Sequence, residues 1–90
     1  MKKAVKVEAL PNYDIKVWYQ DGKCFRYNVK QDIDNLKAFA HLRVEEQFKK
    51  VYLQYAGYAI AWGDGDEWED VTMSTEVPYY EGEQILIASG

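Results

Sequence analysis

The sequence predicts an α+β domain: two β-hairpins in short, curled antiparallel sheets, packed with one or two short helices. Three observations predict it. Apolar residues alternate with period two in two pairs of segments, a helical spacing separates those pairs, and the composition is rich in rings. Three Trp, eight Tyr and three Phe among 90 residues can close a core on a short chain, since each ring removes roughly 150–250 Å² from water.

The elements follow in order. Val5-Lys6-Val7-Glu8-Ala9 alternates as a half-buried strand, and Pro11-Asn12 ends it. Tyr13 to Tyr19 is the next strand, with Ile15, Val17 and Tyr19 on one face. Asp21-Gly22 turns the chain into Cys24 to Val29, where Phe25, Tyr27 and Val29 alternate. Register decides the turn. A two-residue loop sets Val17 opposite Arg26 and mixes charge with apolar groups on each face. A three-residue loop, Gln20-Asp21-Gly22 with Gly22 left-handed as a bulge, sets Tyr19 opposite Lys23, Val17 opposite Phe25 and Ile15 opposite Tyr27, giving one clean apolar face.

Asp32 is read as the N-cap of a helix from Ile33 to Ala40, with Ile33, Leu36 and Ala40 at helical spacing. A further turn through Val44 to Lys49 is anchored by Phe48. The second hairpin is Val51 to Tyr55 and Tyr58 to Trp62 around Ala56-Gly57. Gly63 to Asp66 is a loop, the segment from Trp68 to Val71 is ambiguous, and a helical turn within Met73 to Tyr80 is expected to stop at Pro78. Gln84 to Ala88, with Ile85, Leu86 and Ile87 consecutive, reads as a buried or paired final strand, or a subunit contact.

The chain is expected to be one domain, residues 1–90. Its single cysteine, Cys24, cannot form an internal disulfide. No apolar run follows the charged Met1–Val7 segment or reaches the ~20 residues of a membrane span, so a cytoplasmic chain without membrane contact is expected. Charge is segregated. The eleven Lys and Arg all lie at or before Lys50 with seven acids, a balance of +4, and eight acids follow without a base, a balance of −8, matching the net −4. The acidic half disfavours direct nucleic-acid binding. It is expected to lie over the basic half, or else to face a basic partner.

Catalytic constellations are missing from the pattern. His41 is the single histidine, and nothing around it resembles a nucleophile elbow. Cys24 lies mid-strand on the face opposite the apolar one. One His and one Cys cannot supply the four ligands of a structural zinc. In Asp64-Gly65-Asp66-Glu67-Trp68-Glu69-Asp70, Asp64 and Asp66 have the first two spacings of a calcium loop, but Trp68 occupies the fifth position and no Gly the sixth. Solvated turn acids are expected, with Asp64, Asp66, Glu67 and Asp70 as a candidate surface for a basic partner. Trp62 is in phase with Tyr58 and Ile60 and belongs to the core. Trp18 points away from Ile15, Val17 and Tyr19, beside Cys24, into either a second, smaller core or an exposed contact.

The order of turn and core positions resembles the bacterial family catalogued as domain of unknown function 2442. Tyr19 before Asp21-Gly22, Val29, Leu36, Leu42, Phe48, Val51, Gly57-Tyr58 through Trp62, and Gly65 carry the likeness, over residues 5–73. The chain departs from the pattern at Gly63, where the family commonly has Pro, and at Glu67, where it usually has Asp; residues 74–90 have no clear counterpart. The resemblance implies a compact α+β fold without assigned catalytic residues or cofactor, and similarity to small proteins of toxin–antitoxin-like pairs. The expectation is a non-enzymatic protein-interaction module that binds a protein partner or itself. Trp18, Ile85, Leu86 and Ile87 are its candidate contacts. A small-ligand or divalent-cation binder is the alternative.

Overall fold

A computed structural model describes residues 2–86. The strands are β1 (Ala4–Ala9), β2 (Asp14–Tyr19), β3 (Cys24–Asn28), β4 (Val51–Gln54), β5 (Ala59–Trp62), β6 (Val71–Ser74) and β7 (Glu83–Ile85). Short helices α1 (Lys30–Asn35), α2 (Glu45–Phe48) and α3 (Glu76–Glu81) interrupt them, with a stretch of 3₁₀ helix over Lys37–Arg43. Two antiparallel sheets result, one in the order β1-β2-β3-β7 and one in the order β4-β5-β6. This is the small α+β fold expected from the sequence.

The first hairpin takes the bulged register. Val17 lies opposite Phe25 and Ile15 opposite Tyr27. The Tyr19 amide donates to the Lys23 carbonyl at 2.8 Å and the Gly22 amide to the Tyr19 carbonyl at 3.0 Å, with Gly22 at φ 88°. Asp21 tightens the turn by accepting the Lys23 amide on Oδ1 at 2.9 Å. In β1 the alternation breaks at Val5, an extra residue between the Ala4–Tyr19 and Lys6–Trp18 pairs. The bulge turns buried Ala4 inward with Val7 and Ala9 and leaves Val5 exposed.

The core lies between the inward faces of the two sheets. Ile15, Val17, Tyr19, Phe25 and Tyr27 contribute from one, and Ile60, Trp62 and Met73 from the other. Trp62 packs edge-on against Phe39 with ring centroids 5.7 Å apart, and lies tilted over Phe48 at 6.3 Å. Phe48 is therefore the anchor its position suggests.

Several expectations need correction. Asp32 does not cap a helix over Ile33–Ala40. It sits inside α1, whose first residue is Lys30, and its carboxylate accepts the Tyr27 hydroxyl at 2.7 Å. Asn28 Oδ1 accepts the Lys30 amide at 3.1 Å, satisfying one of the amides left over at a helix start. The chain then extends at Leu36 and re-forms as 3₁₀ helix. That helix repeats every three residues, so Phe39 and Leu42 share the buried face, while Leu36 and Ala40 are exposed. The pair Phe39 and Leu42 removes more apolar surface than Leu36 and Ala40 would, and that decides the outcome.

Pro78 does not stop α3; it is the third residue of the helix and fully buried. A proline in the first turn forfeits only an amide that has no intrahelical partner. The second hairpin closes through a longer turn than expected. Tyr55 and Tyr58 leave the strands and are exposed, and Gln54 pairs with Ala59. Residues 75–85 are tied to the four-stranded sheet, and the paired final strand is found over Glu83–Ile85. The Tyr19 hydroxyl donates to the Thr75 carbonyl at 2.7 Å, Tyr79 packs on Phe25 at 4.7 Å, and β7 pairs with β3. Among the described residues, no helix is long and apolar enough to cross a membrane.

Candidate functional site

The outward face of the four-stranded sheet gathers residues that alternation had pointed away from the core. Lys6 pairs with Trp18, Trp18 with Cys24, and Cys24 with Ile85, so four strands contribute one side chain each to a single row. The next row is Glu8, Lys16, Arg26 and Glu83, with the two bases in the middle. The structure thus brings together Trp18 and Ile85, which lie far apart in the sequence.

Trp18 is half-buried, and two cations cover its ring. Lys6 Nζ stands 4.6 Å and Lys16 Nζ 4.9 Å from the ring centroid, an arrangement that attracts through the ring's negative face. Cys24 is fully buried between its row neighbours. Burial pushes its thiol pKa up against the opposing pull of Lys16, which leaves a packing thiol rather than a thiolate nucleophile. Trp18 thus neighbours the buried Cys24 across the strand pair and carries two lysines over its half-buried ring. At the end of β7, Ile85 is half-buried and Leu86 is 90% exposed. Ile87 lies outside the described residues.

The acidic run is organised by its own carboxylates. Asp70 Oδ2 accepts the Tyr52 hydroxyl at 2.7 Å and the Gly65 and Asp66 amides at 2.9 Å each. Asp66 Oδ1 accepts the Trp68 amide at 2.9 Å and the Glu69 amide at 3.2 Å. Asp64 pairs with Lys50 at 3.0 Å, while Glu67 is exposed. Gly63 makes room for this knot, since a Cβ there would lie 2.0 Å from the Asp70 carboxylate. Asp66 and Asp70 thus close the loop and Asp64 pairs with Lys50, with Asp64 and Asp66 still exposed. Among the described residues, no group of three His, Cys, Asp or Glu is placed to hold a metal.

The Tyr52 bond, followed by the loop amides, holds the Asp70 carboxyl below the usual carboxylate range. A depressed folded pKa contributes stability that is complete above the unfolded value of about 3.9 and lost as pH falls through the folded value. Asp70→Asn is therefore expected to be less stable than the parent at neutral pH. In urea melts at about pH 7 and about pH 3, its stability should fall less on acidification than the parent's does.

The charge segregation survives folding in part. Arg26–Asp14, Arg43–Asp34 and Lys49–Glu45 pair within the first half of the chain, and Lys50–Asp64 joins the halves. Lys6 and Lys16 instead face Trp18. These two lysines were not singled out in the sequence, although their position on the strand phase of Trp18 was a usable signal. His41 is exposed at the 3₁₀ stretch. Compared with protein-family models, curated proteins and solved structures, the chain matches none.

Proposed function

We propose that this chain is a non-enzymatic interaction module that binds a protein partner, or a second copy of itself, through the outward face of its four-stranded sheet. The observation that carries this reading is the row Lys6–Trp18–Cys24–Ile85, with the exposed Leu86 next along the chain after β7. A tryptophan with apolar neighbours and a charged rim has the composition of an interface hot spot. The cations over Trp18 suit a partner that presents carboxylates around an apolar contact. The likeness of its turn and core positions to a bacterial family similar to proteins of toxin–antitoxin-like pairs points the same way, by analogy alone.

Sedimentation velocity across a wide concentration range, paired with affinity capture from the native host, tests the proposal. Trp18→Glu is the informative variant, because it removes the anchor and offsets one of the two lysine charges that flank it on an outward face. The complex is expected to weaken by about thirtyfold or more, the scale of a hot-spot loss, while the thermal unfolding profile stays cooperative. A strictly monomeric chain that retains no protein, or a complex indifferent to Trp18→Glu, overturns the proposal.

A further inference from the structure

A groove of about 460 Å³ opens between α1, the 3₁₀ stretch, β6 and α3. Its floor is apolar, with Phe39 and Met73 buried and Leu36 49% exposed at its lip. Thr72, Met73 and Ser74 all line it. Consecutive strand residues point to opposite faces, so three in succession can border one groove only if the strand's edge runs along it. That edge is open, because β6 is the end strand of its sheet. Its sequence, VTMS, also carries neither the charge nor the proline that commonly blunts an edge.

Asp32 and Glu81 line the groove from opposite walls, α1 and α3, and no base lines it. Both carboxylates act on the Tyr27 hydroxyl between them. Together with burial, the largest cause, they push its pKa up to about 12. Tyr27 belongs to the inward-facing set of β3, so the groove lies on the other side of that strand from Trp18.

We infer that β6 accepts an extended, lysine- or arginine-bearing segment of a partner protein as an added strand, with Asp32 and Glu81 receiving its cations and the Leu36–Phe39–Met73 floor receiving an apolar side chain. Strand addition supplies affinity through main-chain hydrogen bonds and specificity through alternate side chains. The groove therefore reads a cation, an apolar residue and a cation at every second position. A second copy of this chain is a poor occupant, since pairing β6 with β6 brings two acidic rims together.

The test is an amide NMR titration of the full chain with the peptide acetyl-Lys-Thr-Val-Thr-Lys-amide and its counterpart acetyl-Glu-Thr-Val-Thr-Glu-amide. The lysine peptide is expected to shift the amides of residues 71–74, 77 and 79–81 saturably, and more weakly as salt rises. The glutamate peptide should leave them in place. Glu81→Lys, at an exposed position, should weaken the lysine peptide about tenfold or more with the rest of the spectrum preserved. Three results each overturn the inference: equal response to both peptides, shifts confined to the Trp18 face, or no response to the lysine peptide at millimolar concentration. Butylammonium matching the peptide's affinity also overturns it, because the groove would then be a small-amine site.

Discussion

Trp62→Ala is expected to lower stability by about 3–5 kcal/mol, the range for removing a large buried ring, measured by urea unfolding. Trp62 is 1% exposed and is the largest fully buried side chain. It joins β5 to the 3₁₀ stretch through Phe39 and to α2 through Phe48. Its loss leaves a cavity where the three-stranded sheet meets the helical segments, and a close-packed surround relaxes into such a space only partly. Trp68→Ala is the matched control. At 93% exposure, its removal should change stability by less than about 0.5 kcal/mol.

Gly57→Ala is expected to cost about 2–4 kcal/mol, combining left-handed backbone strain with overpacking. Gly57 has φ +95°, and an added Cβ would lie 2.2 Å from the Ala4 carbonyl oxygen. That oxygen belongs to the backbone of β1 and cannot swing aside as a side chain would. Gly22→Ala separates the two causes. Gly22 has φ +88° with nothing within 4 Å of an added Cβ, so it should cost only the strain, about 1–2 kcal/mol. If the two variants melt alike, the approach of the second hairpin's turn to β1 is wrongly placed.

Local rules made part of this fold legible. The Gln20–Gly22 turn was readable because the alternations of β2 and β3 admit one register that keeps Val17, Phe25, Ile15 and Tyr27 on one face. Trp18 could be pointed outward from the same period. Long-range choices were not readable. Leu36 and Phe39 compete for one buried place, and the choice falls to Phe39 only once the 3₁₀ repeat sets it on one face with Leu42. Pro78 is an ordinary helix stop until the start of α3 is known. The pairing of β7 with β3, which puts Ile85 in line with Trp18, joins segments about sixty residues apart and leaves no local pattern. The acidic loop was legible in part. Asp64, Asp66 and Glu67 are the exposed turn acids that its composition suggested, whereas the amide bonds accepted by Asp66 and Asp70 arise only when the loop closes in three dimensions.

Fluorine NMR of the chain carrying fluorotryptophan reports on Trp18, Trp62 and Trp68 separately. It tests most directly whether the cation-flanked sheet face is the interface. On self-association or on addition of a captured partner, the Trp18 signal should move and lose its response to solvent, while that of Trp62 stays fixed. A complex that forms with the Trp18 signal unmoved would contradict the assignment of this face.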